Sequence, residues 1–245
     1  MFKSIMLSML LLGTYQVNAA NNKSICGDDD RVPSFNPKVA RAIGDMNQNG
    51  GCTVTMISKT CAISAGHCKS TFGLAEFNTP ASRNGRIQHP APEDIYPIQT
   101  IKSVYNGLGD DWAVLKILPN KITGKLAGEE QGFYTVTFEA PKAGDLIRIT
   151  GYGLDRSQGD RNLAQQTHYG EVVSMRGNVM YHIADTMGGN SGSSVINEET
   201  QEIVAIHTNG GCTRNGGNNA ANMLSQNEAL KESILACLGE EIANQ

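Results

Sequence analysis

Two short runs constrain this chain more than anything else in it. Residues 188–194 read Gly-Gly-Asn-Ser-Gly-Ser-Ser, and residues 65–68 read Ala-Gly-His-Cys. A serine between glycines suits a tight turn whose backbone N–H groups converge on one point. A histidine in a small-residue run before a cysteine suits an imidazole fixed at a strand end. One run offers a nucleophile, Ser191, with a pair of amide donors; the other offers a general base, His67. An acid is still needed to orient the imidazole, and Asp111 supplies it at the head of the apolar run Trp112-Ala113-Val114-Leu115-Lys116-Ile117. Asp110 competes, but Asp111 directly precedes the strand that would hold a carboxylate in place. The order His67, Asp111, Ser191 is one of the recurrent chain orders of this chemistry. Any fold the chain adopts must bring these distant segments together.

The chain has 245 residues, enough for one large domain or two small ones. Hydrophobic residues make up 40% and charged residues 18%, a balance that supports a packed core. The net charge is −4, and no basic stripe or Lys/Arg cluster points to nucleic acid. Glycine is abundant, at 27 residues, and helical runs are few, which favours an all-β fold with many tight turns.

Residues 1–19 read as a secretory signal: Lys3 is the positive end, Ile5 to Leu12 the apolar stretch, and Val17-Asn18-Ala19 the cleavage site. The apolar stretch is too short to span a bilayer, so no membrane association is expected after signal removal. Six cysteines in an exported chain imply disulfides. Cys52 and Cys68 bracket the histidine segment and are expected to pair; Cys26, Cys61, Cys212 and Cys237 leave three pairings open. A zinc site would want Cys-x-x-Cys spacing, which is absent.

Along the chain, residues 20–38 read as an exposed polar arm. Strands are predicted over 53–57, 61–65, 111–118, 133–138, 146–151, 170–175, 179–183, 195–196 and 203–207. Residues 75–98 hold four of the eight prolines and are expected to form loops and edge strands. Leu230, Ile234, Leu235 and Leu238 recur at helical spacing, predicting a terminal helix capped by Ser225 and stopped at Gly239.

These motifs resemble those of the chymotrypsin-fold serine endopeptidases. Cys52-Thr53 through Ser64-Ala65-Gly66-His67-Cys68 resembles the family's histidine block, 111–116 its aspartate block, and 189–193 its serine block. Ile149-Thr150-Gly151-Tyr152-Gly153 resembles the strand that opens the second barrel. Within the family the chain is most similar to the bacterial glutamyl endopeptidase (V8-like) branch. Ser24 to Arg31, Asp185 to Ser193, and Ile206 to Gly211 carry that similarity.

The resemblance implies two six-stranded antiparallel Greek-key β-barrels with the active site between them and a C-terminal α-helix. The first barrel would occupy 24–139 and the second 140–245. It implies a monomeric serine endopeptidase acting on proteins or peptides, exported, without metal or organic cofactor. Gly189 and Ser191 would supply the oxyanion hole. Thr186 and His207 would grip a glutamate side chain in the primary pocket, aided by Ser24 as mature N-terminus once residues 20–23 are removed as a short propeptide. Asp185 is the competing signal: a carboxylate at the pocket base would favour Lys or Arg. Asn190 replaces the aspartate that precedes the serine in digestive proteases, so an ion pair with a new N-terminal amine is not available here. A catalytically silent exported binding homologue is the alternative from another class.

Overall fold

A computed structural model describes residues 24–48 and 50–243. The proposed signal and propeptide lie outside the described residues. The first barrel is built from β2 (Val39–Ile43), β3 (Cys52–Met56), β4 (Cys61–Ser64), β5 (Leu74–Glu76), β6 (Ile95–Tyr105) and β7 (Asp111–Ile117). The second uses β8 (Leu146–Gly151), β9 (Gln166–Arg176), β10 (Val179–His182), β11 (Ser194–Asn197), β12 (Ile203–Asn209) and β13 (Asn219–Met223). A short strand, β1 (Val32–Pro33), pairs with β9. Every strand pairing is antiparallel.

Both barrels close with the same connectivity. The first runs β2-β3-β4-β7-β6-β5, with β5 returning to β2; the second runs β8-β9-β10-β13-β12-β11, with β11 returning to β8. Closure leaves no free sheet edge in either ring. The expected fold class, two six-stranded barrels with a terminal helix, is what the chain forms.

Strand alternation explains where the core sits. On β4, Ala62 faces the interior of the first barrel, beside Val54, Met56, Phe77 and Leu115, while Cys61 and Ile63 face outward. On β7, Ala113, Leu115 and Ile117 point in, and Trp112 and Val114 point out. The outward set is buried beneath helix α2 (Glu228–Ala243), against Leu230 and Ile234. These strands are covered on both faces, so they read as unbroken apolar runs rather than as alternation. The Cys61–Cys237 disulfide ties α2 to β4.

Several expectations give way to the structure. The arm is not an exposed tail: Ser24 and Arg31 are buried, and Cys26 is bridged to Cys212. Its early part packs on the second barrel through β1 and a bridge from Ser24 to Thr186, and at its end the Lys38 carbonyl accepts the Met56 N–H of β3 in the first. Residues 133–138 form no strand; they make one parallel bridge, Val136 to Ile203, and a single bond from the Tyr134 N–H to the Met56 carbonyl. Helix α2 starts later than predicted and runs through Gly239; Asn227, not Ser225, supplies the capping oxygen, accepting the Leu230 N–H at 3.1 Å. A five-residue helix, α1 (Ala127–Gln131), lies in the connection between the barrels.

The two barrels are joined at the site by short polar links. Thr53 on β3 donates its N–H to the Ser191 carbonyl (2.9 Å) and its hydroxyl to the Gly189 carbonyl (2.9 Å). The same hydroxyl accepts the N–H of Tyr152 (3.1 Å), whose own hydroxyl donates to the Val39 carbonyl. One threonine of the first barrel therefore fixes the serine loop of the second.

Candidate active site

His67 stands three residues beyond the end of β4, on a 3-10 turn spanning Gly66–Thr71. Gly66 is required there, since a Cβ would collide with the Val104 carbonyl oxygen. The Cys52–Cys68 bridge, as expected, closes the segment. Asp111 opens β7 and is fully buried. Its Oδ1 accepts the backbone N–H of His67 at 2.9 Å, and its Oδ2 faces Nδ1 of the ring at 2.6 Å. This two-point clamp sets both the position and the tautomer of the imidazole, leaving Nε2 for a reaction. The Tyr105 ring stands edge-on to the imidazole at 5.7 Å.

Asp110, the competing carboxylate, faces elsewhere. It accepts hydrogen bonds from Asn106, Trp112 Nε1 and Asn227. Those bonds, the one from Asn106 foremost, hold its carboxyl below the usual range.

Ser191 sits in a tight loop tied down on every side. Asn190 N–H donates to the Met187 carbonyl, Gly192 N–H to the His207 carbonyl, and Ser193 N–H to the Asn190 carbonyl. The N–H groups of Gly189 and Ser191 donate to no acceptor among the described residues. Two preorganised amide donors not spent on protein acceptors are what an oxyanion hole requires. Gly189 takes φ +103°, and a Cβ there would strike the Tyr152 carbonyl oxygen, so only glycine fits. The Ser191 carbonyl also meets the Cys68 sulfur at 3.8 Å, which puts the serine loop beside the histidine turn.

Beside Ser191 opens a cavity of about 850 Å³, lined by Ser24, Ile25, Met187, His207 and Gly210 among others. His207 on β12 is almost fully buried, and its Nδ1 lies 3.2 Å from Nε2 of His182 on β10. Burial pushes His182 down to about 3. Burial, with His182 and His67 nearby, holds His207 well below its ordinary value. Both rings are therefore neutral at pH 7. One facing nitrogen carries a hydrogen and the other offers its lone pair. His182 was not singled out from the sequence; its only signal is a polar residue within the apolar run 179–183.

The residues grouped from sequence as pocket-forming divide in two. Ser24 and His207 line the cavity; Asp185 and Thr186 do not. The N-terminal arm covers them. Thr186 donates its N–H to the Ser24 carbonyl, which also receives Asn219 Nδ2. Asp185 Oδ1 accepts the Cys26 N–H at 2.7 Å. Thr186 Oγ1 and Asp185 Oδ2 are sealed from solvent and make no hydrogen bond. Burial raises the Asp185 carboxyl to about 6. Asp185 is thus an anchor for the arm and presents no carboxylate to the cavity.

Asp30, His168 and Asp185 bring a ligand atom each within 4.8 Å of one another. The hydrogen bonds already use the ring: His168 Nδ1 accepts the Asp185 N–H (2.7 Å), and Nε2 meets Asp30 Oδ1 at 2.6 Å. An imidazole that accepts at one nitrogen donates at the other, so it has no lone pair left for a cation.

Comparison with known proteins agrees with this geometry. A glutamyl endopeptidase of Bacillus licheniformis is 26% identical over 206 residues, covering 77% of this chain and 61% of the relative. A glutamyl endopeptidase of Staphylococcus aureus is 33% identical over 130 residues, covering 50% of this chain and 34% of the relative. The chain thus matches less than two thirds of the length of these relatives. Among solved structures, a Glu endopeptidase in complex with MPD superposes with a TM-score of 0.65 at 22% identity, covering 87% of this chain and 98% of the other. Mouse neuropsin superposes with a TM-score of 0.62 at 14% identity, covering 83% and 96%. Residues 33–226 match the trypsin family model, from β1 to the residues just before α2, and the chain belongs to that family.

Proposed function

We propose that the protein is an exported serine endopeptidase that cleaves protein or peptide chains after glutamate. The observation that carries the proteolytic reading is the clamp of Asp111 on His67, set beside a serine loop with two unengaged N–H groups. In the reaction, Ser191 Oγ attacks the scissile carbonyl carbon while His67 Nε2 takes the hydroxyl proton. Asp111 orients the imidazole and stabilises its cation. The Gly189 and Ser191 amides hold the oxyanion, each worth about 3–4 kcal/mol in such sites. Collapse breaks the C–N bond as His67 returns the proton to the leaving amine. Water, activated by the same imidazole, then hydrolyses the acyl ester.

The glutamate preference is supported by His207 and Ser24 in the cavity wall. If His182 Nε2–H donates to His207 Nδ1, the remaining His207 Nε2–H is a neutral donor for a substrate carboxylate. A chain beginning at Ser24 would add an ammonium group at the same wall. The burial of Asp185 under the arm weighs against cleavage after Lys or Arg. Three disulfides support an oxidising compartment, and no helix among the described residues is long and apolar enough to cross a membrane.

Digestion of one unfolded protein, with the residue before each cut read by mass spectrometry, tests both levels. Cuts after Glu are expected; cuts after Lys or Arg would return Asp185 to the pocket. Ser191→Ala should lose activity by several orders of magnitude, on the scale of about 10⁶, with its circular dichroism unchanged. Retained cleavage in that variant, or no labelling of the native protein by a serine-directed organophosphate, would defeat the assignment.

A further inference from the structure

The cavity wall carries charged groups that the reaction does not use; the charges of Arg31 and Arg214 each face a carboxylate. Arg31 is buried and grips Asp29 through two parallel bonds, Nε to Oδ1 at 2.9 Å and Nη2 to Oδ2 at 2.7 Å. Arg214 lies 3.7 Å from Asp28, both widely exposed. Asp155 is buried and spends Oδ1 on its own loop, accepting the Ser157 N–H, the Ser157 hydroxyl and the Gln158 N–H. Arg156 also lines the cavity, is exposed, and has no carboxylate partner among the described residues.

The backbone that presents Arg156 is not loose. Two residues earlier, the Leu154 N–H donates to the Gly188 carbonyl at 2.8 Å, next to the amide of Gly189. One residue earlier, the Asp155 N–H donates to Asn162 Oδ1, and Asn162 in turn donates to the Gly85 carbonyl. The Asp155 side chain closes the turn on the other side. The base of an exposed, unpaired Arg156 is therefore fixed, and the residue lines the same cavity as Ser191. His207 is deep in the wall and Arg156 is in solvent contact, so the two address different parts of a bound chain.

We propose that Arg156 is a further specificity-determining residue that pairs with an acidic side chain flanking the scissile bond, so that acidic segments of substrate are preferred beyond the residue cut after. This rests on the proteolytic reading but not on the glutamate preference. Guanidinium and carboxylate match in shape and charge, and a rim pair of this kind is worth a modest factor that salt screens.

The test uses quenched fluorescent peptides with one cleavage site, built around whichever residue the digestion identifies. Asp is compared with Asn at each of the two positions on either side. The native enzyme should prefer the Asp peptide about two- to fivefold in kcat/KM at one of these positions. The preference should appear mainly in KM and shrink at about 0.5 M salt. In Arg156→Gln the ratio should fall to near one, and in Arg156→Glu it should invert. A native ratio near one at all four positions, or the same ratio in Arg156→Gln, would overturn the proposal. Failure of the proteolytic reading looks different: no peptide of any twin pair is cut, and the rim assignment falls with it.

Discussion

His182 and His207 face each other at 3.2 Å with both rings buried and both held neutral. Protonating either one places a charge inside the second barrel, next to a partner that cannot move away. The unfolded chain has no such penalty and takes up protons near pH 6.5. Between that pH and about 3, where folded His182 titrates, the unfolded chain binds more protons. Stability from this pair is thus present above pH 6.5 and lost as the pH falls through the window. Asp185 acts oppositely: its folded value, about 6, lies above the ordinary 3.8, so its contribution is present below 3.8 and lost as the pH rises through about 6. Melting temperatures of the native protein and His182→Phe, measured from pH 7 to pH 4, separate the two. The fall on the acid side should flatten in the variant without vanishing, because His207 remains. Parallel curves would contradict the neutral pair.

Asp111→Asn should keep the acceptor for the His67 N–H and lose the charge that faces Nδ1. Fold and melting temperature should change little, while kcat falls by about 10⁴, as a mis-set tautomer costs in this chemistry. Steady-state kinetics on one peptide substrate provide the check. A loss under tenfold would mean that the imidazole is oriented by something else.

The Cys61–Cys237 bridge links residues 176 apart and pins α2 over Trp112 and Ile63. Replacing both cysteines with alanine should cost about 2–5 kcal/mol. Urea unfolding should show this as a lower midpoint. An unchanged midpoint would mean that packing under α2 alone suffices.

How much of this was legible in the sequence depended on whether a segment's signal was local. β8 reads as it folds, from Leu146 to Gly151, because its apolar residues and flanking turns are contiguous. The segments of His67 and Asp111, which the structure joins by two hydrogen bonds, were legible for the same reason. β2 was not, because Arg41 interrupts it; its burial is supported by two bonds to Glu76 Oε2 directly across on β5 and by bonds to the Leu163 and Gln88 carbonyls, none of them near in sequence. β13, Asn219-Ala220-Ala221-Asn222-Met223, lacks the branched and aromatic residues that mark strands, and it is a strand because β10 and β12 flank it. The middle of β6, Gln99-Thr100-Ile101-Lys102, is exposed and mostly polar, and pairs with β7 all the same. Thr186 and Asp185 were placed in the pocket by motif. The residues that cover them stand some 160 positions away, too far for any spacing rule to relate them.

The arm's anchors have a consequence for how the molecule is made. Residues near the start of the chain form part of the cavity, yet they are held by partners 159, 186 and 195 positions downstream. A ribosome delivers the wall first and its landing place almost last. The cavity beside Ser191 is therefore among the final features to take shape, and a half-synthesised copy lacks it.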